Sequence, residues 1–261
     1  MTLKNQAINL FKRYINEPIK SIKQIHNGFT NTSFKINNYQ VRLGGTNKQV
    51  NRLNENKIIN TILKDDFVYY DKSNGNAIKN WIIGKNPNQS IIKTCDFINK
   101  FIHVVNKLHN SKLKLIKHNH LDCLKKSKLQ DSIKKFYIRL INEIKDDKIV
   151  PCHNDLSIEN MLIDKNNNVI LIDYEWARMN SIYWECANFI RNTNYNLKQI
   201  NLFCKLAKLN YEHMKKYLFI CSCYAYQWTF NMPQTNKVLS YRKITFTKMM
   251  FYYNLLNEKN R

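Results

Sequence analysis

The sequence predicts an α+β chain in two parts: a small antiparallel sheet with one helix, then a larger and mainly helical region. Three observations lead there. All five glycines, at positions 28, 44, 45, 75 and 84, lie in the first third of the 261 residues. In that third, short β-type runs alternate with Asn- and Gly-rich turns. Beyond the polar stretch GKNPNQS at 84–90, apolar residues recur at helical spacing with one interruption. The expected division is therefore 1–83 and 84–261.

In chain order, an N-terminal helix leads into a strand at 19–26 that enters a turn at Asn27-Gly28. The runs 32–36 and 39–43 flank Asn37-Asn38, which reads as a two-residue hairpin turn. Residues 49–63 place Val50, Leu53, Ile58 and Ile62 at helical spacing. A second hairpin, 67–71 and 77–83, surrounds Ser73-Asn74-Gly75-Asn76. Phe97, Phe101, Val105 and Leu108 mark the next helix, and 129–144 another. The interruption is 149–172: strand, polar loop, and a hairpin around 164–168. Helical patterns resume near 185 and fill the C-terminal third.

Composition excludes several classes. The hydrophobic fraction, 44%, supports a folded core rather than wholesale disorder. No run of about 18 apolar residues is present, so no membrane-inserted helix is expected. The first residues carry scattered charges and no apolar core, which does not read as a secretory signal. The seven cysteines lack zinc-site spacing and read as reduced, mostly buried thiols, so a cytoplasmic protein is expected. The formal charge of +23 comes from 42 Lys and Arg against 19 Asp and Glu. Such a balance can signal a polyanionic partner. Here Lys is scattered without a like-charge block, and Asn and Ile, which share AT-rich codons with Lys, are also abundant. The charge therefore reads as codon bias, and a nucleic-acid-binding protein is the weaker alternative.

The informative stretch is His153-Asn154-Asp155-Leu156-Ser157-Ile158-Glu159-Asn160, followed after the hairpin by Ile172-Asp173-Tyr174-Glu175-Trp176-Ala177. An Asp and an Asn five residues later share one loop, and a second Asp follows. Phosphoryl transfer needs such a set: one carboxylate positions the acceptor hydroxyl and takes its proton, while an Asn oxygen and another carboxylate hold Mg²⁺ on the nucleotide phosphates.

These motifs resemble the choline/ethanolamine kinase branch, of bacterial LicA type, within the protein-kinase-like aminoglycoside phosphotransferase superfamily. The resemblance implies a bilobal kinase-like fold, ATP and Mg²⁺ as cofactors, and a small-molecule alcohol as acceptor. It makes Asp155 the catalytic base and Asn160 and Asp173 the metal ligands, with His153 ordering the loop. Asn27, Gly28, Phe29, Thr30 and Asn31 resemble the loop over the ATP phosphates, with Asn27 in place of the first of two glycines. Arg42 falls at the ATP-contacting basic residue and Glu55 at its helical partner. Asn80, Trp81 and Ile82 resemble the hinge that grips adenine, with Asn80 replacing its usual acid.

For the acceptor, the resemblance points to choline, with ethanolamine, an aminoglycoside or thiamine as alternatives. A quaternary ammonium is held by aromatic faces and carboxylates. Trp176, Tyr224, Trp228 and Tyr241 are the candidate cage, Glu175 a source of negative charge, and Ser157 a further contact from the catalytic loop. Ala225 stands where the family has a first Trp and Thr245 where it has an Arg. Asn192 replaces an acidic residue that the family can place near the ammonium, which leaves other acceptors open. Glu185 reads as structural.

Overall fold

The computed structural model describes residues 1–27, 31–45, 50–125 and 127–258, with the backbone alone at His26 and Asn27. The chain divides into two compact units. One comprises Met1–Gly84 together with Asp173–Ala177, the other Lys85–Ile172 and Arg178–Arg261.

In the N-terminal unit, α1 (Leu3–Tyr14) begins where the Thr2 hydroxyl accepts the Asn5 N–H at 3.2 Å. The sheet has five antiparallel strands: β1 (Ile22–Asn27), β2 (Asn31–Ile36), β3 (Tyr39–Gly44), β4 (Phe67–Tyr70) and β5 (Ala77–Asn80). Their order is β1-β2-β3-β5-β4, so the second predicted hairpin docks through its later strand. Phe11 and Ala7 of α1 pack with Phe34, Ile36, Val41 and Ile78 to form the core. Asn37 makes the β2–β3 turn at φ +51°, a conformation that Asn tolerates, and its side chain binds Pro18 O and Lys20 N–H. The helix read over 49–63 is shorter, α2 (Arg52–Ile59). Asn51 caps it by accepting the Asn54 N–H at 3.0 Å, and this leaves Val50 and Ile62 outside.

The second unit contains α3 (Cys95–His109), α4 (Asp131–Glu143), β6 (Ile149–Cys152), β7 (Met161–Ile163), β8 (Val169–Leu171) and β9 (Arg178–Ser181). Four helices follow: α5 (Ile182–Arg191), α6 (Leu197–Leu206), α7 (Tyr211–Trp228) and α8 (Asn236–Asn257). β6 pairs with β9, and β7 with β8, both antiparallel. Strand β9 is not legible in the sequence. It is polar (Arg-Met-Asn-Ser) and forms because β6 offers it a partner. Stacked rings of Phe101 and Phe189, 4.3 Å apart, with Phe97 and Phe203 beside them, join α3, α5 and α6. Six of the seven cysteines are buried and Cys95 is exposed; all are free thiols, as expected. No helix among the described residues is long and apolar enough to cross a membrane.

Candidate active site

Each unit carries one part of the predicted constellation. In the N-terminal unit, register sets Arg42 on β3 opposite Ser33 and Ala77. Its Nη1 donates to Glu55 Oε1 at 2.7 Å, and its Nε donates to Gly75 O at 3.0 Å. Gly75 turns at φ +82°, and a Cβ there would meet the Arg52 guanidinium at 2.4 Å, so the turn needs glycine. Arg52 donates to Glu55 Oε2 at 2.9 Å, Glu175 Oε2 at 3.0 Å and Asn31 Oδ1 at 2.9 Å. Asn31 in turn donates to Glu175 at 2.6 Å. Asp173 stands 3.6 Å from Arg42 Nη1, at φ +65°. Two guanidiniums thus sit among three carboxylates. Burial opposes the charges of both Arg42 and Glu55, but their mutual attraction outweighs it: the Arg42 guanidinium is held above its ordinary value and the Glu55 carboxyl below.

The structure thus brings Asn31, Arg42, Glu55, Asp173 and Glu175 into one network. Glu175, read as a source of negative charge for the acceptor, is engaged by Arg52 and Asn31. Asn27 lies in β1, and Gly28, Phe29 and Thr30 fall outside the described residues. At the predicted hinge, Asn80 donates to Asp65 O, and the Trp81 N–H donates to Asn38 O at 2.8 Å, so Ile82 is the next backbone group along. Trp176 is half-buried. Sequence reasoning missed Lys79 on β5: burial pushes its amine below the ordinary lysine value, offset in part by the nearby Asp173 charge. Its position directly before the predicted hinge was the available signal.

In the second unit, the loop after β6 is built on buried Glu185 of α5. Its two carboxylate oxygens accept the backbone N–H groups of His153 at 2.7 Å and Asn154 at 2.8 Å. Asn154 adopts φ +63°, and its side chain donates to the Cys152 and Arg178 carbonyls. His153 Nδ1 accepts the Asp155 N–H at 3.3 Å, which assigns the proton to Nε2, 2.9 Å from Ile172 O. The ring therefore orders the loop, as expected. Asn160 Nδ2 donates to Asp155 Oδ2 at 2.9 Å and to Asp155 O at 2.8 Å, fixing the Asp–Asn pair of the motif. Two side-chain amides support the loop from outside: Asn86 donates to Met161 O at 2.7 Å, and Asn192 donates to Leu156 O at 3.0 Å. Ser157 lies in the same loop, its carbonyl accepting the Asn160 N–H.

Of the aromatic candidates here, Trp228 and Tyr241 meet edge-to-face at 6.3 Å. Tyr224 packs instead against Trp184 and His118, at 5.5 and 5.2 Å. Tyr241 also accepts a hydrogen bond from Arg191 Nη1 at 2.6 Å. Arg191, which with Glu185 is one of two charged residues on α5, was not singled out from the sequence.

The family model described as choline/ethanolamine kinase matches residues 83–239. The chain is 32% identical over 254 residues to the "Uncharacterized protein MG356 homolog" of Mycoplasma pneumoniae, covering 91% of this chain and 88% of that one. Choline kinase LicA from Streptococcus pneumoniae is similar in structure, with a TM-score of 0.76 at 17% identity over 95% of this chain and 99% of that one. LicA has also been solved in complex with AMP. The GDP complex of aminoglycoside 2'-phosphotransferase-IIIa has a TM-score of 0.73 at 9% identity, covering 96% of this chain and 99% of that one. The expected α+β, protein-kinase-like fold is borne out.

Proposed function

The chain belongs to the choline/ethanolamine kinase family, and from that premise we propose that it moves the γ-phosphoryl of ATP to the hydroxyl of choline, giving phosphocholine. The observation that carries phosphoryl transfer is the ordered loop in which Asn160 holds the Asp155 carboxylate at 2.9 Å. In this reading Asp155 orients the acceptor hydroxyl and takes its proton as the in-line displacement proceeds. Arg42, kept charged by Glu55, holds nucleotide phosphate. Gly28, Phe29, Thr30 and Asn31, after Asn27, cover the phosphates, and Asn80, Trp81 and Ile82 flank the adenine.

The residues fit a hard, oxygen-binding cation. Among the described residues, Asp173 Oδ1 is buried and makes no hydrogen bond, and the Asn160 amide directs its nitrogen at Asp155, which leaves its oxygen for a ligand. Asn160 and Asp173 would hold Mg²⁺, which when bound would neutralise charge on the nucleotide phosphates. Trp176, Trp228 and Tyr241, with Ser157, Glu175 and Tyr224 as further contacts, complete the acceptor assignment.

Asp155→Ala is expected to lower transfer from ATP by about 10²–10⁴-fold. Circular dichroism should show the native spectrum, because Glu185 and Asn192 still hold the loop. Undiminished turnover would overturn the assignment. A second reading keeps the reaction and changes the acceptor to ethanolamine or another small alcohol. It is favoured by Asn192, whose amide serves the Leu156 carbonyl where a carboxylate could face an ammonium. Parallel assays with choline, ethanolamine, thiamine and kanamycin separate the two.

A further inference from the structure

The two faces of the N-terminal sheet are unlike. On one, Val41 and Ile78 pack with Phe11 of α1 in the core. Arg42 on β3, opposite Ala77 on β5, lies on the other face, and alternation carries Lys79, two residues after Ala77, onto that same face. This face holds the Arg42–Glu55 pair, with Asp173 3.6 Å from Arg42. Lys79 is partly buried there, immediately before the segment 80–82. Its Nζ stands over the Phe67 ring, 5.8 Å from the centroid, and among the described residues it makes no hydrogen bond and no ion pair. Burial opposes its charge, the more distant Asp173 favours it, and Arg42 opposes it. An ammonium has three donors to satisfy, and a ring face satisfies none of them as a hydrogen bond does. Lys79 therefore has donors to spare on the face that carries Arg42.

We infer that Lys79 contacts the edge of the nucleotide base and admits guanine as well as adenine, so that GTP serves beside ATP as phosphoryl donor. This rests on the reading that places phosphate at Arg42 and the base at 80–82. A nucleotide so placed runs along the strand past Lys79, which lies about 7 Å beyond Ala77. Purine edges differ where an ammonium meets them. Guanine offers two adjacent acceptors, N7 and O6, and lysine donates to both. Adenine offers N7 beside the N6 amino group, which is itself a donor. An apolar side chain at 79 would leave guanine O6 without a partner. The transfer is otherwise the same: the γ-phosphoryl passes to the acceptor oxygen, the hydroxyl proton to Asp155, and GDP leaves in place of ADP.

Isothermal titration of the full chain with GDP and with ADP, each in the presence of Mg²⁺, decides the matter without turnover. GDP is expected to bind within about tenfold of ADP, or tighter. Lys79→Met keeps the length of the side chain and removes its donors. It should shift the ratio of GDP to ADP affinity by about tenfold toward ADP, with circular dichroism checking the fold. Base analogues give a second measurement on the wild type alone. Inosine diphosphate, which keeps N7 and O6, should match GDP, and purine riboside diphosphate, which lacks O6, should bind about tenfold more weakly. The inference is overturned by GDP binding more than about tenfold weaker than ADP, by a ratio that Lys79→Met leaves unchanged, or by equal binding of the two analogues. Turnover of the acceptors with ATP, wild type against Asp155→Ala, tests the phosphotransfer reading on its own.

Discussion

In the N-terminal unit, Arg42 and Arg52 lie among Glu55, Glu175 and Asp173, each cation within 3.6 Å of a carboxylate. In the second unit buried Lys215 also pairs with a carboxylate, Glu212 at 2.6 Å, but three other charges are met by neutral groups. Glu185 accepts two backbone N–H groups, Arg191 donates to a tyrosine hydroxyl, and Lys248 donates to two carbonyls. Paired charges stabilise one another's ionised forms and so hold still as pH changes. A buried charge with only dipoles around it keeps a desolvation cost, and it either titrates or takes up a ligand of opposite sign. The first unit therefore looks like a fixed frame for a polyanion, and the second like one whose buried charges answer to pH.

The hardest test of this contrast is Glu55→Ala. It leaves Arg42 and Arg52 buried without their shared carboxylate and removes the acceptor of the Tyr70 hydroxyl, 2.7 Å away. The expected loss is about 3–5 kcal/mol of stability, measured by urea unfolding. Replacing Arg42 and Glu55 together by apolar residues should cost less than Glu55→Ala alone, because Arg42 is then not stranded and Arg52 keeps Glu175.

Glu185 gives the next effect. Burial pushes its carboxyl up to about 7 in the folded chain, against an ordinary 4.5, with the two backbone donors opposing the rise. A raised value means the folded state binds the proton more tightly. The stabilisation is full below about pH 4.5 and is lost as pH rises through about 7. The loss amounts to about 3 kcal/mol over that window. Glu185→Gln should flatten this part of the stability profile, and an unchanged slope would show that the site is not desolvated as described.

Lys248 is displaced as far as Glu185 but is only half-buried, so solvent screening makes its effect the smallest, with the opposite sign. Burial, with Arg191 beside it, lowers its amine to about 8 from 10.5. Its contribution is complete above about pH 10.5 and is lost as pH falls through about 8. Lys248→Met should remove the rise in melting temperature between those values.

Much of the N-terminal sheet could be read in advance because turns announce themselves locally. The Ser73–Asn76 stretch ends its strands through local side-chain bonds, and Asn37 turns at φ +51°, a conformation that Asn tolerates by itself. Strand β9 gave no such signal, since its pairing with β6 substitutes for propensity. At the candidate site, the spacing of Asp155 and Asn160 was legible because both lie on one loop, five residues apart. The partners of Glu175 were not: Asn31 is 144 residues away and Arg52 is 123. Arg191 was missed for the same reason, since its hydroxyl partner is 50 residues along.

The sequence by itself determined the α+β order, the helical periods, the turns and the Asp155–Asn160 loop with Asp173 to follow, and these suffice to identify the family. All of them depend on residues within a few positions of one another, where backbone geometry and side-chain spacing are the whole cause. Only the tertiary structure decided which charges would be buried, and which of those would find a partner. It committed Glu175 to Arg52, brought Lys79 near Asp173, and left Arg191 with a tyrosine and an orphaned nitrogen. Desolvation and Coulomb pairing are set by what packing brings together, and residues far apart in the chain meet only once the fold exists.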